Sequence, residues 1–310
     1  MTPVVSAVDV TKRWSTTQAL SGATFAVGHG VTGLLGANGA GKTTLLGLIL
    51  GLHRPESGTI TVFGQDPWLA GAAVRARLGY APEHDAFPPD VAAHDVVRHL
   101  AELHGLPRRQ ATARASDALW EVGLGEERFR PVGTMSTGQR QRVKLAQAIA
   151  HDPELLLLDE PTNGLDPSQR EDMLGLIEHV GQDLGMNVIL SSHLLEEVER
   201  VSNAVVILER GRVVAEGSLA ELRQTDPELT VELDQIDESD PAGALVGALR
   251  EAGLDAKADG PRMVVVTITN ESVFDTVRDA LADGNFSVRR LERRTASLED
   301  IYLASAGQPP

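Results

Sequence analysis

Residues 36–43 read GANGAGKT, a glycine-rich stretch that fits the pattern G-x-x-x-x-G-K-[ST] and decides the fold. The apolar run at 31–35 predicts a strand before it, and the run that starts at Thr43 predicts a helix after it. Glycines let the chain turn sharply and point its N–H groups at phosphate oxygens. An ordinary glycine-rich turn is the alternative, but a strand, this loop and a helix in that order predict a nucleoside triphosphate site.

Eight residues of this stretch are the candidates for holding the triphosphate. We expect Lys42 to reach the β- and γ-phosphates and the Thr43 hydroxyl to ligate Mg²⁺. The N-terminus of the following helix also favours anions. The predicted cofactors are therefore ATP and Mg²⁺. The candidate binding residues are Gly36, Asn38, Gly39, Ala40, Gly41, Lys42, Thr43 and Thr44.

A second apolar run, LLLL at 155–158, ends in two carboxylates, Asp159 and Glu160. Four consecutive leucines indicate a strand buried on both faces, and open parallel sheets bind ligands at the carboxyl ends of their strands. We expect Asp159 to hold Mg²⁺ and Glu160 to polarise the water that attacks the γ-phosphate. Taken alone, Glu160 could equally cap the strand end. Its position beside Asp159, together with the Lys42 loop, favours the catalytic role.

Together with MSTGQ at 135–139, these motifs resemble the nucleotide-binding subunit of ATP-binding cassette (ABC) transporters over about residues 4–220. The family's usual string is LSGGQ, so this one departs from it at the first and third positions. The resemblance implies that Ser136, Gly138 and Gln139 bind the γ-phosphate of ATP held by a second cassette. The residues themselves predict only a serine N-cap on a helix whose N-terminus attracts phosphate.

Three further positions match motifs of the same family. The resemblance implies that Trp14 stacks on adenine, that Asp166 couples two sites across a dimer interface, and that His193 contacts the γ-phosphate. Trp14 and His193 have plainer alternatives, because an aromatic residue is most often part of a core and a lone histidine at a strand end is often structural.

Glu83 marks a departure from the family, which usually has glutamine after the corresponding strand. Glutamate can still ligate Mg²⁺ or accept a hydrogen bond from water, but it cannot donate as an amide does. The predicted metal ligands are therefore Thr43, Asp159 and Glu83. A solvated loop acid is the alternative for Glu83.

The composition limits the possible partners and location. The chain has 310 residues, a net charge of −16 and no cysteine. Its acidity argues against a nucleic-acid partner, because neutralising phosphates needs basic patches. No apolar run approaches the roughly 18 residues of a membrane-spanning helix, and the start lacks a signal-peptide pattern. We therefore expect a cytoplasmic protein, held at the inner face of the cell membrane by a membrane-spanning permease subunit.

The predicted fold is α/β, a P-loop NTPase cassette with a small C-terminal α+β domain. The cassette is expected at 1–224, with an antiparallel N-terminal β-subdomain and a helical insertion at about 85–150. The β-α-β-β-α-β-like order of 225–310 predicts the second domain, which we expect to stabilise a dimer or to regulate, with a small-molecule sensor as the alternative. Apolar runs predict core strands or hairpin strands at 31–35, 78–81, 155–159, 187–191, 205–208 and 212–216.

The predicted function is ATP hydrolysis that energises export of a substrate through a separate membrane-spanning subunit. No internal repeat is visible, so the second cassette must come from another copy, as a homodimer, or from a related chain. The closing SLEDIYL at 297–303 resembles cassettes that serve drug, antibiotic or lipid-type exporters. An importer subunit of the same fold and a soluble cassette ATPase outside transport are the alternatives.

Overall fold

A computed structural model gives the structure of the chain as two compact units, residues 1–219 and 220–310. The domain boundary expected after residue 224 stays a prediction. The residues that the structure describes are 2–84, 86–224, 228–234 and 240–294.

The first unit contains an antiparallel sheet and a larger, mostly parallel sheet. In chain order its strands are β1 (Val5–Trp14), β2 (Thr17–Val27), β3 (Val31–Leu35), β4 (Ser57–Val62), β5 (Leu78–Ala81), β6 (Leu155–Asp159), β7 (Asn187–Ser192), β8 (Ala204–Glu209) and β9 (Arg212–Ser218). The antiparallel sheet has the order β2-β1-β4, and the larger sheet has the order β5-β6-β7-β3-β8-β9. Only β9 runs antiparallel to its neighbour in the larger sheet. The predicted parallel core and antiparallel N-terminal strands are confirmed.

Helices cover both faces of the larger sheet. In chain order they are α1 (Lys42–Ile49), α2 (Pro67–Ala70), α3 (Ala72–Arg75), α4 (Ala93–Leu103), α5 (Arg108–Glu121), α6 (Thr137–Ile149), α7 (Pro167–Gln182) and α8 (Leu195–Val201). A further helix, α9 (Leu219–Gln224), starts where the first unit ends. Between β5 and β6, α4 to α6 form the predicted helical insertion. A capping box starts α6: the Ser136 side chain accepts from the Gln139 N–H, and the Gln139 side chain accepts from the Ser136 N–H.

The leucine run of β6 is buried on both faces, which explains why it does not alternate with polar residues. Leu156 and Leu158 pack in the core under the helical insertion. Leu155 and Leu157 point the other way, into the core shared with α1 and the antiparallel sheet. Full burial of one such side chain contributes about 1.5–3 kcal/mol, so this strand anchors both layers.

The second unit is a four-stranded antiparallel sheet with helices on one face. Its elements in chain order are β10 (Glu228–Leu233), α10 (Pro241–Glu251), β11 (Ala256–Ala258), β12 (Met263–Thr267), α11 (Ser272–Asp283) and β13 (Val288–Arg294). The sheet order is β11-β12-β10-β13, so the small α+β fold is confirmed with a β-α-β-β-α-β order. The final helix expected near 297–305 lies outside the described residues.

An ion pair joins the helical insertion to the parallel-sheet layer at His179 on α7. Its Nε2 contacts Glu121 on α5, and its Nδ1 contacts Asp183. Hydrogen bonds to Glu121 and then Asp183 raise the pKa of His179. Because the folded pKa is raised, this link stabilises the fold below the unfolded pKa of about 6.5 and is lost as the pH rises through the folded pKa.

We therefore expect His179→Gln to lower the free energy of unfolding at pH 6 and to have little effect at pH 9. The loss at pH 6 should be about 1 kcal/mol or less, because partly exposed ion pairs are screened by solvent. Urea unfolding of both proteins at the two pH values measures this difference. An equal loss at both values would mean that His179 acts through packing rather than charge.

Candidate functional site

A cleft of about 460 Å³ lies where the parallel strands end, beside the glycine-rich loop. This is the edge at which open parallel sheets bind ligands. The loop, the Glu83 segment and the ends of β6 and β7 each contribute to it. Predicted site residues that line it are Asn38, Gly39, Gly41, Lys42, Thr43, Thr44, Glu83, Glu160 and His193. Gly36 and Ala40 are buried in the same loop.

Two glycines of the loop have no room for a side chain. Gly41 has a φ of 111°, and a Cβ there would come within 2.5 Å of the Ala19 carbonyl oxygen. A Cβ on Gly36 would come equally close, 2.5 Å, to the Leu208 carbonyl oxygen. The loop therefore depends on glycine at these two positions to pack against the neighbouring backbone.

The Glu160 carboxylate lies between two side chains, the positively charged Lys42 and the hydrogen-bonding His193. Lys42 Nζ lies 3.0 Å from Glu160 Oε1 and donates to the Gly36 carbonyl at 2.6 Å. His193 Nδ1 lies 2.8 Å from Glu160 Oε2. Because an ionised carboxylate can only accept, the His193 proton is on Nδ1 in this arrangement. Lys42 and Glu160 are both buried, so their pairing fixes the carboxylate at the floor of the cleft.

Asp159 lies beneath this pair and is tied to the start of α1. Burial raises the pKa of Asp159, while hydrogen bonds from Ser191 and Thr43 lower it. The Ser191 hydroxyl donates to Asp159 Oδ1 at 2.7 Å and accepts from the Glu160 N–H at 3.0 Å. The Thr43 hydroxyl and the Asp159 carboxylate are adjacent oxygen donors, which is the ligand type that Mg²⁺ prefers. These residues therefore fit a magnesium ion.

Ser191 and Asn163 belong to the site, although the sequence did not single them out. Glu160 has a φ of 48°, a left-handed conformation that is uncommon for a residue with a side chain. The Ser191 hydroxyl bonds its N–H and stabilises that turn. Asn163 Nδ2 donates to Glu83 Oε1 at 3.1 Å, and both side chains line the cleft. The only sequence signal for Ser191 was a pair of serines ending an apolar run.

Trp14 is half-exposed rather than part of a core. Its side chain is beside the first turn of α1, where Nε1 donates to Thr44 Oγ1 at 3.2 Å. The ring meets His53 edge-on, with the ring centroids 4.7 Å apart, and Lys12 Nζ lies 4.7 Å from the ring centroid. The stacking role stays a prediction, but the exposed ring next to the phosphate loop is consistent with it.

The remaining predicted residues lie outside the cleft. Ser136, Gly138 and Gln139 begin α6, and their local role is the capping box. Asp166 is the N-cap of α7, where its side chain accepts from the Gln169 N–H at 2.9 Å. The expected contacts of these residues with a second cassette stay predictions.

The family model described as ABC transporter matches residues 20–163. The daunorubicin resistance ATP-binding protein DrrA3 of Streptomyces coeruleorubidus is 33% identical over 303 residues, which cover 96% of this chain and 93% of that protein. The chain belongs to the ABC transporter family.

Other comparisons with this ABC protein agree. The Nod factor export ATP-binding protein I of Burkholderia orbicola (strain AU 1054) is 32% identical, over 97% of this chain and 96% of that protein. A solved ATP-binding subunit of an ABC transporter is 29% identical, with a TM-score of 0.63 over 71% of this chain and 92% of that one. The dimeric cassette MJ0796 in a post-hydrolysis state with ADP and Pi shares the fold, with a TM-score of 0.63 and 23% identity over 69% and 98% of the two chains.

The ABC protein is thus an ATP-binding subunit with ATPase activity, as its motifs predicted. Among the described residues, no helix has the length and apolar character needed to cross a membrane.

Proposed function

We propose that this ABC protein hydrolyses ATP at Glu160 to energise export through a separate membrane-spanning permease. The observation that carries the proposal is the fixed Glu160 carboxylate, between Lys42 and His193 and above the Asp159–Thr43 pair. A carboxylate held in this way can orient a water and accept its proton, which is what hydrolysis of a γ-phosphate requires.

Each part of the cleft has one task in this mechanism. The loop N–H groups and Lys42 bind the β- and γ-phosphates. Thr43 and Asp159 would hold Mg²⁺, with Glu83 as a further candidate ligand, and a bound ion would supply positive charge against the phosphate oxygens. His193 keeps the second oxygen of Glu160 in place. Once Lys42 is on the phosphates, the orientation of the carboxylate towards the attacking water depends on its contact with His193.

We place a second cassette, a copy of this chain or a close relative, over the cleft. Ser136, Gly138 and Gln139 lie at the start of α6 and do not line the ATP cleft of their own chain. A helix N-terminus favours phosphate, so a partner's α6 would complete the site. Asp166, at the start of α7, would lie near the interface. The dimeric state of the MJ0796 cassette supports this arrangement.

The direction of transport is taken from the relatives. The two reported relatives are named for daunorubicin resistance and for Nod factor export, and both extend over nearly the whole chain. We accordingly place the ABC protein on the cytoplasmic face of the cell membrane, bound to its permease.

Purification from detergent-solubilised membranes of the native host tests this proposal. We expect a multi-spanning membrane protein to co-purify in near-stoichiometric amount. Vesicles that contain both chains should accumulate substrate with ATP, and the Glu160→Gln variant should abolish this uptake. Recovery from the soluble fraction alone, or with ribosomes, would contradict transport and leave the ATPase assignment standing.

We expect Trp14→Ala to weaken ATP binding by about five- to hundredfold, because stacking of one base on an aromatic ring contributes about 1–3 kcal/mol. Inorganic triphosphate has no base, so its affinity should not change. Calorimetric titrations with both ligands measure the difference. Trp68→Ala is the matched control, since Trp68 is 45% exposed and Trp14 is 43% exposed. Equal losses for both ligands would show that Trp14 supports the loop rather than the base.

A further inference from the structure

Side chains of α6, and of His151 two residues after its end, cover the open edge of β5. As the edge strand of the larger sheet, β5 has carbonyl groups that no neighbouring strand can bond. Gln147 donates to the Tyr80 carbonyl at 2.5 Å, and His151 Nε2 lies 2.9 Å from the Leu78 carbonyl oxygen. Lys144 donates to the carbonyls of Pro82 and Glu83, the two residues that follow β5. Lys144, Gln147 and His151, here named the α6 donor row, replace a missing strand.

The α6 donor row ends at the wall of the ATP cleft. Lys144 is 2% exposed, and its ammonium donates to the carbonyls of Pro82 and Glu83, both at 2.7 Å. One turn earlier, Gln141 donates to the Asn163 carbonyl at 3.1 Å. The side chains of Asn163 and Glu83 are hydrogen-bonded to each other. Through Lys144 and Gln141, α6 therefore holds the backbones of Glu83 and Asn163, whose side chains meet in this wall of the ATP cleft.

Glu83 and Asn163, which form this wall, lie between two clefts. Glu83 and Asn163 line the ATP cleft, and they also line a second cleft of about 310 Å³ against α6. Any displacement of α6 relative to the sheet must move the Glu83 backbone or break two charge-assisted hydrogen bonds of a buried ammonium. Breaking them is costly because such bonds are strong and the ammonium would stay buried. The Glu83 backbone therefore follows α6.

We propose that Lys144 is a positioning residue for ATP hydrolysis that acts through Glu83. The proposal rests on the proposed function, in which the start of α6 meets the ATP of a second cassette. When α6 takes up that position, Lys144 sets the place of Glu83 beside Glu160 and Asp159. ATP affinity in the single chain does not depend on this step, whereas turnover does.

Lys144→Met tests the proposal because methionine keeps the length of the stem and removes both donors. We expect kcat for ATP to fall by about tenfold or more, since small misplacements of catalytic groups have effects of this size, and KM to change by about twofold at most. Lys144→Arg should restore most of the turnover, because a guanidinium can also donate to both carbonyls. The assay uses the full chain with its permease.

Gln147→Met is the matched control within the α6 donor row. It removes a donor to the same strand but away from Glu83, and we expect wild-type kcat. We also expect the Lys144→Met Glu83→Ala double variant to be no slower than Glu83→Ala alone, because Lys144 acts through Glu83. Equal losses of kcat in Lys144→Met and Gln147→Met, or losses that multiply in the double variant, would overturn the proposal.

A second variant covers the case in which Lys144→Met does not fold, as judged by thermal unfolding. Lys144→Gln is that variant, because it keeps a polar group at this buried position but is shorter and uncharged, so it weakens the same bonds to the Pro82 and Glu83 carbonyls. It should lower kcat with ATP affinity unchanged, and it should add nothing to Glu83→Ala; an additive loss would overturn the proposal. Wild-type turnover in Glu160→Gln would instead refute the proposed function, while the comparison of Lys144→Met with Gln147→Met would still test Lys144.

Discussion

Glu160→Gln is expected to lower the turnover of ATP by about 10²–10⁴-fold, the usual contribution of a general base, while ATP binding persists. The amide has the shape of the carboxylate but cannot take a proton from water. It also has a single oxygen, whereas Glu160 is ion-paired with Lys42 at one oxygen and hydrogen-bonded to His193 at the other. With ATP bound, Lys42 turns to the phosphates, so the amide oxygen can face His193 and the nucleotide stays in place.

The Glu160→Gln protein should therefore accumulate as an ATP-bound dimer. Size-exclusion chromatography with ATP and a phosphate-release assay measure the two effects together. Glu196→Gln is a suitable control, because Glu196 is an exposed acid in the first turn of α8 and should tolerate the change with wild-type turnover. Wild-type turnover in Glu160→Gln would remove Glu160 from the catalytic role.

Local patterns were enough to predict the elements that carry the phosphate site. The leucine run predicts β6 because a strand buried on both faces needs an unbroken apolar sequence, and the observed bounds are Leu155–Asp159. The glycine-rich loop is predicted because its conformation excludes side chains at Gly36 and Gly41. By contrast, β11 spans only Ala256–Ala258, too short to show a period, so the sequence pattern could not give its bounds.

Contacts between distant segments could not be predicted in the same way. The motifs place Lys42 and Glu160 in one site, but the sequence does not show that they pair directly. The bond from Asn163 to Glu83 joins two loops whose conformations depend on α6. The role of a second cassette could not be predicted from these residues alone either, because the residues at the start of α6 indicate only a helix cap.

Lys42→Met is expected to have two separable effects, on ATP binding and on stability. In the proposed function Lys42 is the cation that meets the phosphates, and charged hydrogen bonds contribute about 1.5–3 kcal/mol each, so ATP affinity should fall by about a hundredfold or more. The same change leaves the buried Glu160 carboxylate without its cation. Loss of one partner of a buried ion pair costs about 3–5 kcal/mol, and the free energy of unfolding without ATP should fall accordingly.

The double variant Lys42→Met Glu160→Gln separates these effects. Removing the orphaned carboxylate should restore most of the free energy of unfolding, measured with urea, because no uncompensated charge then remains buried. ATP affinity, measured by calorimetry, should stay as low as in Lys42→Met, since the phosphates still lack their cation. Unchanged stability in Lys42→Met would mean that the 3.0 Å contact between Lys42 and Glu160 contributes nothing to the fold. If both outcomes are found, the Lys42–Glu160 pair couples stability to nucleotide binding, because the lysine that pairs with the Glu160 carboxylate is the one that we propose to bind ATP.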